Sequence, residues 1–413
     1  MSKETSTGKK KLSIPVKLAI ALVLGVIAGA VFRDKCSYIA FVGTLFVRLL
    51  KMCVYPLVFF SIISGVASVA DIGRLKKVGG QFLAYTFLSS AAAGILGCLA
   101  ITISGAGKDL VLQATVDESV QSVNMIDSIV AWVPDNVFTS LSNGTLVQII
   151  VFAIFFGVMI TLIRKEGDDV DLVSRIVNGC NACMQKMVSC VMLFAPYGVF
   201  CLIANLVGTT GVQNLKEIFS MVVTLWSASL VHILILLPLI LRFWGKVNPI
   251  KFFKNIMPVI LMAFSTQSSA ATLPLTMEVS SQKNGVPDEI VNLCAAPAAT
   301  INMDGAAIEY TIYTLFAAHA FGVHFSPLQI LFIIVLCVVC SAGAAGVPGG
   351  GIVMCSICLA TMGLPNEEVT AMVAGVYVLL DVASTTLNVT GDCSGMVCIA
   401  NRLGTLDKSR FDA

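Results

Sequence analysis

Six runs of this chain, near residues 14–32, 38–70, 78–104, 129–163, 180–208 and 218–245, are apolar over lengths that can cross a bilayer. A spanning helix needs about 20 mostly apolar residues. Inside lipid every backbone N–H and C=O must be paired within the protein, which leaves only helices or closed barrels. Continuous runs of this length read as helices, and the second is long enough to tilt. The rest of the composition agrees: 57% of the 413 residues are hydrophobic and 12% charged, with a mean hydropathy of +0.91. Soluble chains carry roughly twice that share of charge. A soluble enzyme, a disordered chain and a nucleic-acid-binding protein are excluded, and a net charge of +2 implies no polyanionic partner. The length accommodates roughly eight spans with short loops, hence one polytopic unit.

The first run, preceded by Lys3, Lys9, Lys10 and Lys11, is too long for a cleaved signal and reads as a retained span. Basic residues cluster at alternate connections. Arg74, Lys76, Lys77, Arg164, Lys165, Arg175, Arg242, Lys246, Lys251 and Lys254 fall on the side of the N-terminus, and Arg402, Lys408 and Arg410 join them. By the positive-inside rule both termini are cytoplasmic and the protein lies in the cell membrane. The polar segment 105–128 reads as an external loop, and Arg48 and Lys51 fit neither side. Three C-x-x-C pairs (Cys180 and Cys183, Cys337 and Cys340, Cys355 and Cys358) lie in apolar surroundings without a neighbouring histidine, so they read as small packing residues.

The last 160 residues break the pattern. Runs 256–280 and 328–362 are each interrupted at the middle by small polar residues and proline, at 265–274 and 341–351. Such sequences break a helix and free backbone groups, which survive at membrane depth only inside protein or against a wet cavity. Two re-entrant helical hairpins satisfy that condition, and their paired positions suggest inverted repeats around a transport site. The span near 288–320 holds Asn302, Asp304 and Gly305, where local unwinding would build an all-oxygen nest suited to a hard cation. In the final span, near 368–400, Asp381, Ser384, Thr385, Asn388 and Asp392 fall on one helical face. Two carboxylates there must face a cavity, where one can pair with an ammonium group and the other with a cation. Thr86, Ser89 and Ser90 share a face of the third span and could complete a cation site. Glu309 reads either as a titrating site or as part of the wet cavity.

The Asn302-Met303-Asp304-Gly305 motif, the serine-rich first hairpin, the Gly-Val-Pro of the second and Asn388-Val389-Thr390-Gly391-Asp392 together resemble the dicarboxylate/amino acid:cation symporters, over essentially the whole chain. The resemblance implies an all-α polytopic membrane protein of eight transmembrane helices and two re-entrant hairpins. It also implies a homotrimer in the bilayer, with a scaffold of 14–70 and 129–208 and a mobile elevator part of 78–104 and 218–402. By position, Asp381 would hold a substrate ammonium and Asn388 its carboxylate, with Ser268, Ser269, Gly346 and Val347 at the enclosing tips. Asp392, Asn302 and Asn388 would form one sodium site. Asp304, Asn302, Thr86, Ser89 and Ser90 would form a second, and backbone around Thr300, Asn302, Ser341 and Ala344 a third. Na+ would be the transported coupling ion.

The departures from the family pattern bear on the substrate. Members that carry acidic substrates have an arginine where this chain has Ser384, a threonine where it has Ala306, and commonly an acid where it has Tyr377. Gln267 also stands where some prokaryotic members have arginine. With Thr385, these residues would line a small, mildly polar pocket suited to serine, alanine, threonine or cysteine. The reading is therefore a sodium-coupled symporter or exchanger of small neutral amino acids; the alternative is a sodium- or proton-coupled aspartate, glutamate or dicarboxylate symporter. An intramembrane protease is disfavoured, because no histidine lies near the serine-rich hairpin.

Overall fold

The computed structural model describes residues 14–67, 72–110, 130–163, 169–210, 213–343, 346, 349–365 and 367–413. Those residues are almost wholly helical. The first helices are α1 (Ile14–Phe32), α2 (Ala40–Ala67), α3 (Ile72–Ser104), the short α4 (Val137–Asn143), α5 (Leu146–Ile163) and α6 (Asp169–Thr210). Next comes α7 (Gln213–Val231), which continues through two π turns, His232–Leu236 and Ile240–Trp244. The expected span over 129–163 is divided. Asn136 caps α4 by accepting from Phe138 N–H at 2.9 Å, and Gly144 ends it at φ 69°. Only α5 remains as the apolar rod of that region.

Both interrupted runs are helix–turn–helix hairpins. The first pairs α8 (Pro249–Thr266) with α9 (Ser269–Gln282). Its tip turns at Gln267, a non-glycine at φ 53° whose side-chain amide is held by the Val378 carbonyl at 3.2 Å. Ser268 then caps α9 by accepting from Ala271 N–H at 3.2 Å. The second hairpin pairs α12 (Pro327–Ala342) with α13 (Gly350–Thr361). Between its arms Cys358 lies against Cys337 and Cys340, so two of the C-x-x-C pairs pack together as free thiols. Between the hairpins the chain forms α10 (Asp288–Ile301) and α11 (Asp304–Ala320), and it ends with α14 (Glu367–Arg402) and α15 (Lys408–Phe411). The tail is tied to the foot of the first hairpin: Asp407 N–H donates to Gly285 O at 2.9 Å, and Lys251 pairs with Asp412 at 3.0 Å. Lys283 also lies at that foot, exposed, with its carbonyl accepting from Asn255.

Helices α1, α2, α5 and α6 pack chiefly on one another, while α3, α7, the hairpins, α10, α11 and α14 pack around α11 and α14. The first group is joined by close backbone approaches. Large apolar side chains on α1 and α5, such as Val23, Ile27 and Phe155, point outward, as a lipid-facing surface requires. Along the seam between the groups lies an apolar cavity of about 490 Å³, between Ile62, Val66 and Ile154 on one wall and Phe82, Cys294 and Pro297 on the other. Within the first group, a Cβ on Gly198 of α6 would lie 2.5 Å from Cβ of the buried Phe46 on α2. Gly198→Ala should therefore lower the melting temperature of the detergent-solubilised protein, because overpacking of about 1–3 kcal/mol exceeds the helix-propensity gain of about 0.5–1 kcal/mol.

Candidate functional site

Helix α14 is one continuous rod, and its 3.6-residue period sets Asp381, Ser384, Thr385, Asn388 and Asp392 on one buried face. Facing it is a gap in the helix pair α10–α11. Asn302 (φ −88°, ψ 79°) and Met303 (φ −118°, ψ 63°) leave helical geometry, and α14 meets the groups this frees. The Asn388 side-chain oxygen accepts from Gly305 N–H at 2.7 Å and from Ala306 N–H at 3.4 Å. That assignment leaves the Asn388 NH2 group as its free donor. From the other side, Asn302 donates to Asp392 Oδ1 at 3.0 Å.

Asp304 opens α11 and is fully buried. A carboxylate at a helix N-terminus is favoured by the helix dipole. It also accepts from two hydroxyls of α3, from Ser89 and, at 2.8 Å, from Ser90. Three oxygens nearby are buried without a hydrogen-bond partner: Thr86 Oγ1, Asn302 Oδ1 and Asp381 Oδ2. Buried polar atoms are ordinarily paired, so these three are placed to meet something that binds. Asp304, Asp392 and Asn302 with Thr86 make an all-oxygen donor set, the kind that hard cations take. Thr300 and Ser341 donate their hydroxyls to their own helices, to Pro297 O at 3.0 Å and Val338 O at 2.8 Å. Ala344 and Val347 lie outside the described residues.

The hairpin tips meet over this region. Ser268 hydroxyl and Ala270 N–H both donate to Gly346 O, at 3.0 and 3.1 Å. Beneath them is a closed cavity of about 30 Å³. Ser269, Ala306, Gly346, Tyr377, Asp381, Ser384, Thr385 and Asn388, all expected from the sequence, line it, with Met303, Glu309, Tyr310, Gly350 and Gly351. Thr385 donates to Asp381 Oδ1 at 3.0 Å, which leaves Oδ2 for a ligand. None of the lining residues is basic.

Two residues of this neighbourhood were not anticipated. Tyr85, fully buried on α3, donates within reach of Gly391 O (3.1 Å) and the Ser394 hydroxyl (3.0 Å). His232, at the start of the first π turn, places Nε2 3.6 Å from Asp304 Oδ2, beyond hydrogen-bond range, and neither ring nitrogen has a partner. A lone ionisable residue inside the sixth apolar run was the signal that could have found it. Tyr85 carries no such signal, since aromatic residues are ordinary in apolar spans.

The profile of the Sodium:dicarboxylate symporter family matches residues 14–402. Among curated relatives, the chain is 31% identical to a proton/sodium-glutamate symport protein of Bacillus caldotenax, over 97% of each chain. It is 30% identical to the proton/glutamate-aspartate symporter of Escherichia coli, over 97% of this chain and 95% of the relative. It is also 32% identical to the neutral amino acid transporter B(0) of Bos taurus, over 92% and 77%. A Cβ on Gly391 would sit 2.9 Å from Asn302 Nδ2 and 3.3 Å from Asp304 Oδ2, so the bare backbone there holds the oxygen cluster together. Gly391→Ala should weaken sodium-dependent thermal stabilisation, raising the half-maximal sodium concentration at least severalfold for a displacement costing about 1–3 kcal/mol.

Proposed function

The chain belongs to the sodium:dicarboxylate symporter family, and from that premise we propose that it is a sodium-coupled carrier of small neutral amino acids such as serine, alanine, threonine or cysteine. The family is one of membrane transporters and not of enzymes, and sodium is its coupling ion. The observation that carries the choice of substrate is the cavity wall: two buried acids, Asp381 and Glu309, and no basic side chain. A substrate with a second carboxylate would bury that charge uncompensated, at several kcal/mol. Lys283, the one Lys or Arg between Lys254 and Arg402, is exposed at the foot of the first hairpin.

In this reading Asp381 Oδ2 takes the substrate ammonium. The Asn388 amide and the Ser268–Ser269 tip take its carboxylate, and Ala306, Ser384, Thr385 and Tyr377 surround its side chain. Asp304 with Asn302, Thr86, Ser89 and Ser90 holds one sodium ion. Asp392 with Asn302 and Asn388 holds another, and backbone at Thr300, Asn302 and Ser341 contributes to a third. Coupling follows from shared parts. Asn388 supports the α10–α11 break and faces the substrate, and Asn302 serves both cation sites, so each ligand binds best to the geometry the others stabilise. Sodium also offsets the repulsion among buried carboxylates before the tips close. The tips meet over the cavity at the Gly346 carbonyl, so in this reading loading requires them to part.

We further read α1, α2, α5 and α6 as a fixed scaffold that trimerises in the membrane, with both termini cytoplasmic. The remaining helices would slide against it as an elevator. The packing of α1, α2, α5 and α6 chiefly on one another supports that division.

The relatives named for glutamate favour a second reading, an acidic-amino-acid symporter with an unusual site. Uptake into proteoliposomes of a panel of labelled amino acids, with sodium or with choline at fixed pH, separates the two. The expected result is sodium-dependent uptake of one or more small neutral amino acids with weak competition by aspartate; strong inhibition by micromolar aspartate would overturn it. Ser384→Arg with Ala306→Thr should gain affinity for aspartate at the expense of neutral substrates in the same assay. Asp381→Ala should cost hundreds-fold or more in substrate affinity, since loss of a buried charge partner costs about 3–5 kcal/mol. Near-normal binding by that variant, folded and still sodium-responsive, would refute the ammonium assignment.

A further inference from the structure

Glu309 is a buried carboxyl for which the ammonium and sodium assignments leave no task. It lies on α11 one turn beyond Ala306, 1% exposed, in the wall of the 30 Å³ cavity. The Tyr313 hydroxyl donates to Oε1 from the turn behind, and the Ser384 hydroxyl stands alongside. In front, a Cβ on Gly351 would come within 2.8 Å of Oε1, so the carboxyl is pressed against the first turn of α13 in the second hairpin. Tyr377, whose hydroxyl accepts from Gly351 N–H at 3.1 Å, closes the same corner. The carboxyl is thus held by neighbours on three sides and borders the cavity on the fourth.

Its place relative to the other anchors gives it direction. Asp381 presents the unpartnered Oδ2, and Asn388, two turns further along α14, presents its NH2 group. Ser384 lies between them on the same face and is the residue beside Glu309. An α-amino acid held by its ammonium and carboxylate at Asp381 and Asn388 therefore turns its side chain toward Ser384, Ala306 and Glu309. A carboxylate only accepts hydrogen bonds. What it can recognise there is a donor one carbon from the α-carbon.

Resting on the neutral-amino-acid reading, we propose that Glu309 is the acceptor for the substrate side chain and makes this a carrier for β-hydroxy amino acids, serine above threonine, with alanine and acidic amino acids discriminated against. Hydrogen bonds to charged groups contribute about 1.5–3 kcal/mol, roughly ten- to hundredfold in affinity. A substrate of the same size without the donor leaves the carboxyl facing an apolar group, which is the arrangement that gives strong rejection.

The test is sodium-dependent binding to the purified full-length protein, measured by calorimetry with serine, 2-aminobutyrate, O-methylserine, 2,3-diaminopropionate and aspartate. Serine and 2-aminobutyrate differ by a hydroxyl for a methyl. Serine is expected to bind at least tenfold tighter than 2-aminobutyrate or O-methylserine. In Glu309→Met/Tyr313→Phe, which removes the acceptor and the donor behind it together, the serine to 2-aminobutyrate ratio should fall to within about threefold. A wild-type ratio near one overturns the proposal without any variant. So does a ratio that survives in the double variant; in both cases neutral amino acids still bind and only the role of Glu309 is lost. Tighter binding of 2,3-diaminopropionate than of serine would keep Glu309 as the acceptor and overturn the β-hydroxy selectivity. Binding of aspartate with none of the neutral compounds would instead refute the neutral reading, and this inference with it.

Discussion

The structure depends on a gap in a membrane helix. Between Ile301 and Asp304 the chain abandons helical geometry at a depth where no water can satisfy the freed backbone. Helix α14 supplies partners there: Asn388 accepts from the backbone N–H groups of Gly305 and Ala306, and Asp392 accepts from the Asn302 side-chain amide. Helix α3 joins them, with Ser89 and Ser90 holding the Asp304 carboxylate. Three segments far apart in sequence are thereby bound to one point. The two hairpin tips then close over that point by sharing a single acceptor, Gly346 O.

This arrangement concentrates acid. Asp304, Asp392, Asp381 and Glu309 are all buried within a few turns of one another, and no basic side chain lines the cavity. Burying charge without a partner is among the most costly things a protein can do, and doing so in lipid is worse. In the reading proposed above, the positive partners of this cluster arrive from outside, sodium for the two acids at the gap and an ammonium for Asp381, and the unpaired oxygens of Thr86, Asn302 and Asp381 are where they would bind. Polar atoms orphaned in an apolar wall would be a folding defect. Orphaned together around oxygen-rich nests, they account for why loading favours closure.

Much of this was legible in the sequence, and the reasons are physical. The stripe on α14 could be read because helical period alone decides which residues share a face, and Asp381 to Asp392 fall on the period. The gap at Asn302 could be read because an Asn, an Asp and a Gly in an apolar span are too costly to be accidental. Both hairpins were marked by serine, glycine and proline at their middles. The division of 129–163 was missed because the capping by Asn136 and the turn at Gly144 are short-range signals inside a run whose average hydropathy stays high. Tyr85 and His232 were missed for a different reason: what matters about them is which carbonyl or carboxylate they face across the fold, and no spacing encodes that. Glu309 was visible as an anomaly, but its neighbours Tyr313, Ser384 and Gly351 come from three different segments.

The same logic explains how one fold can serve different substrates. The gap, the two aspartates that flank it and the shared asparagines are fixed by the need to satisfy backbone and bind cations, so they leave little freedom for change. The wall at Ala306, Glu309, Tyr377 and Ser384 borders the cavity. Relatives named for glutamate and for neutral amino acids both share about 30% identity with this chain over most of their length. In this protein the wall carries hydroxyls and a carboxyl and no basic side chain. In the reading proposed above, its discrimination among side chains rests on the position of one acceptor.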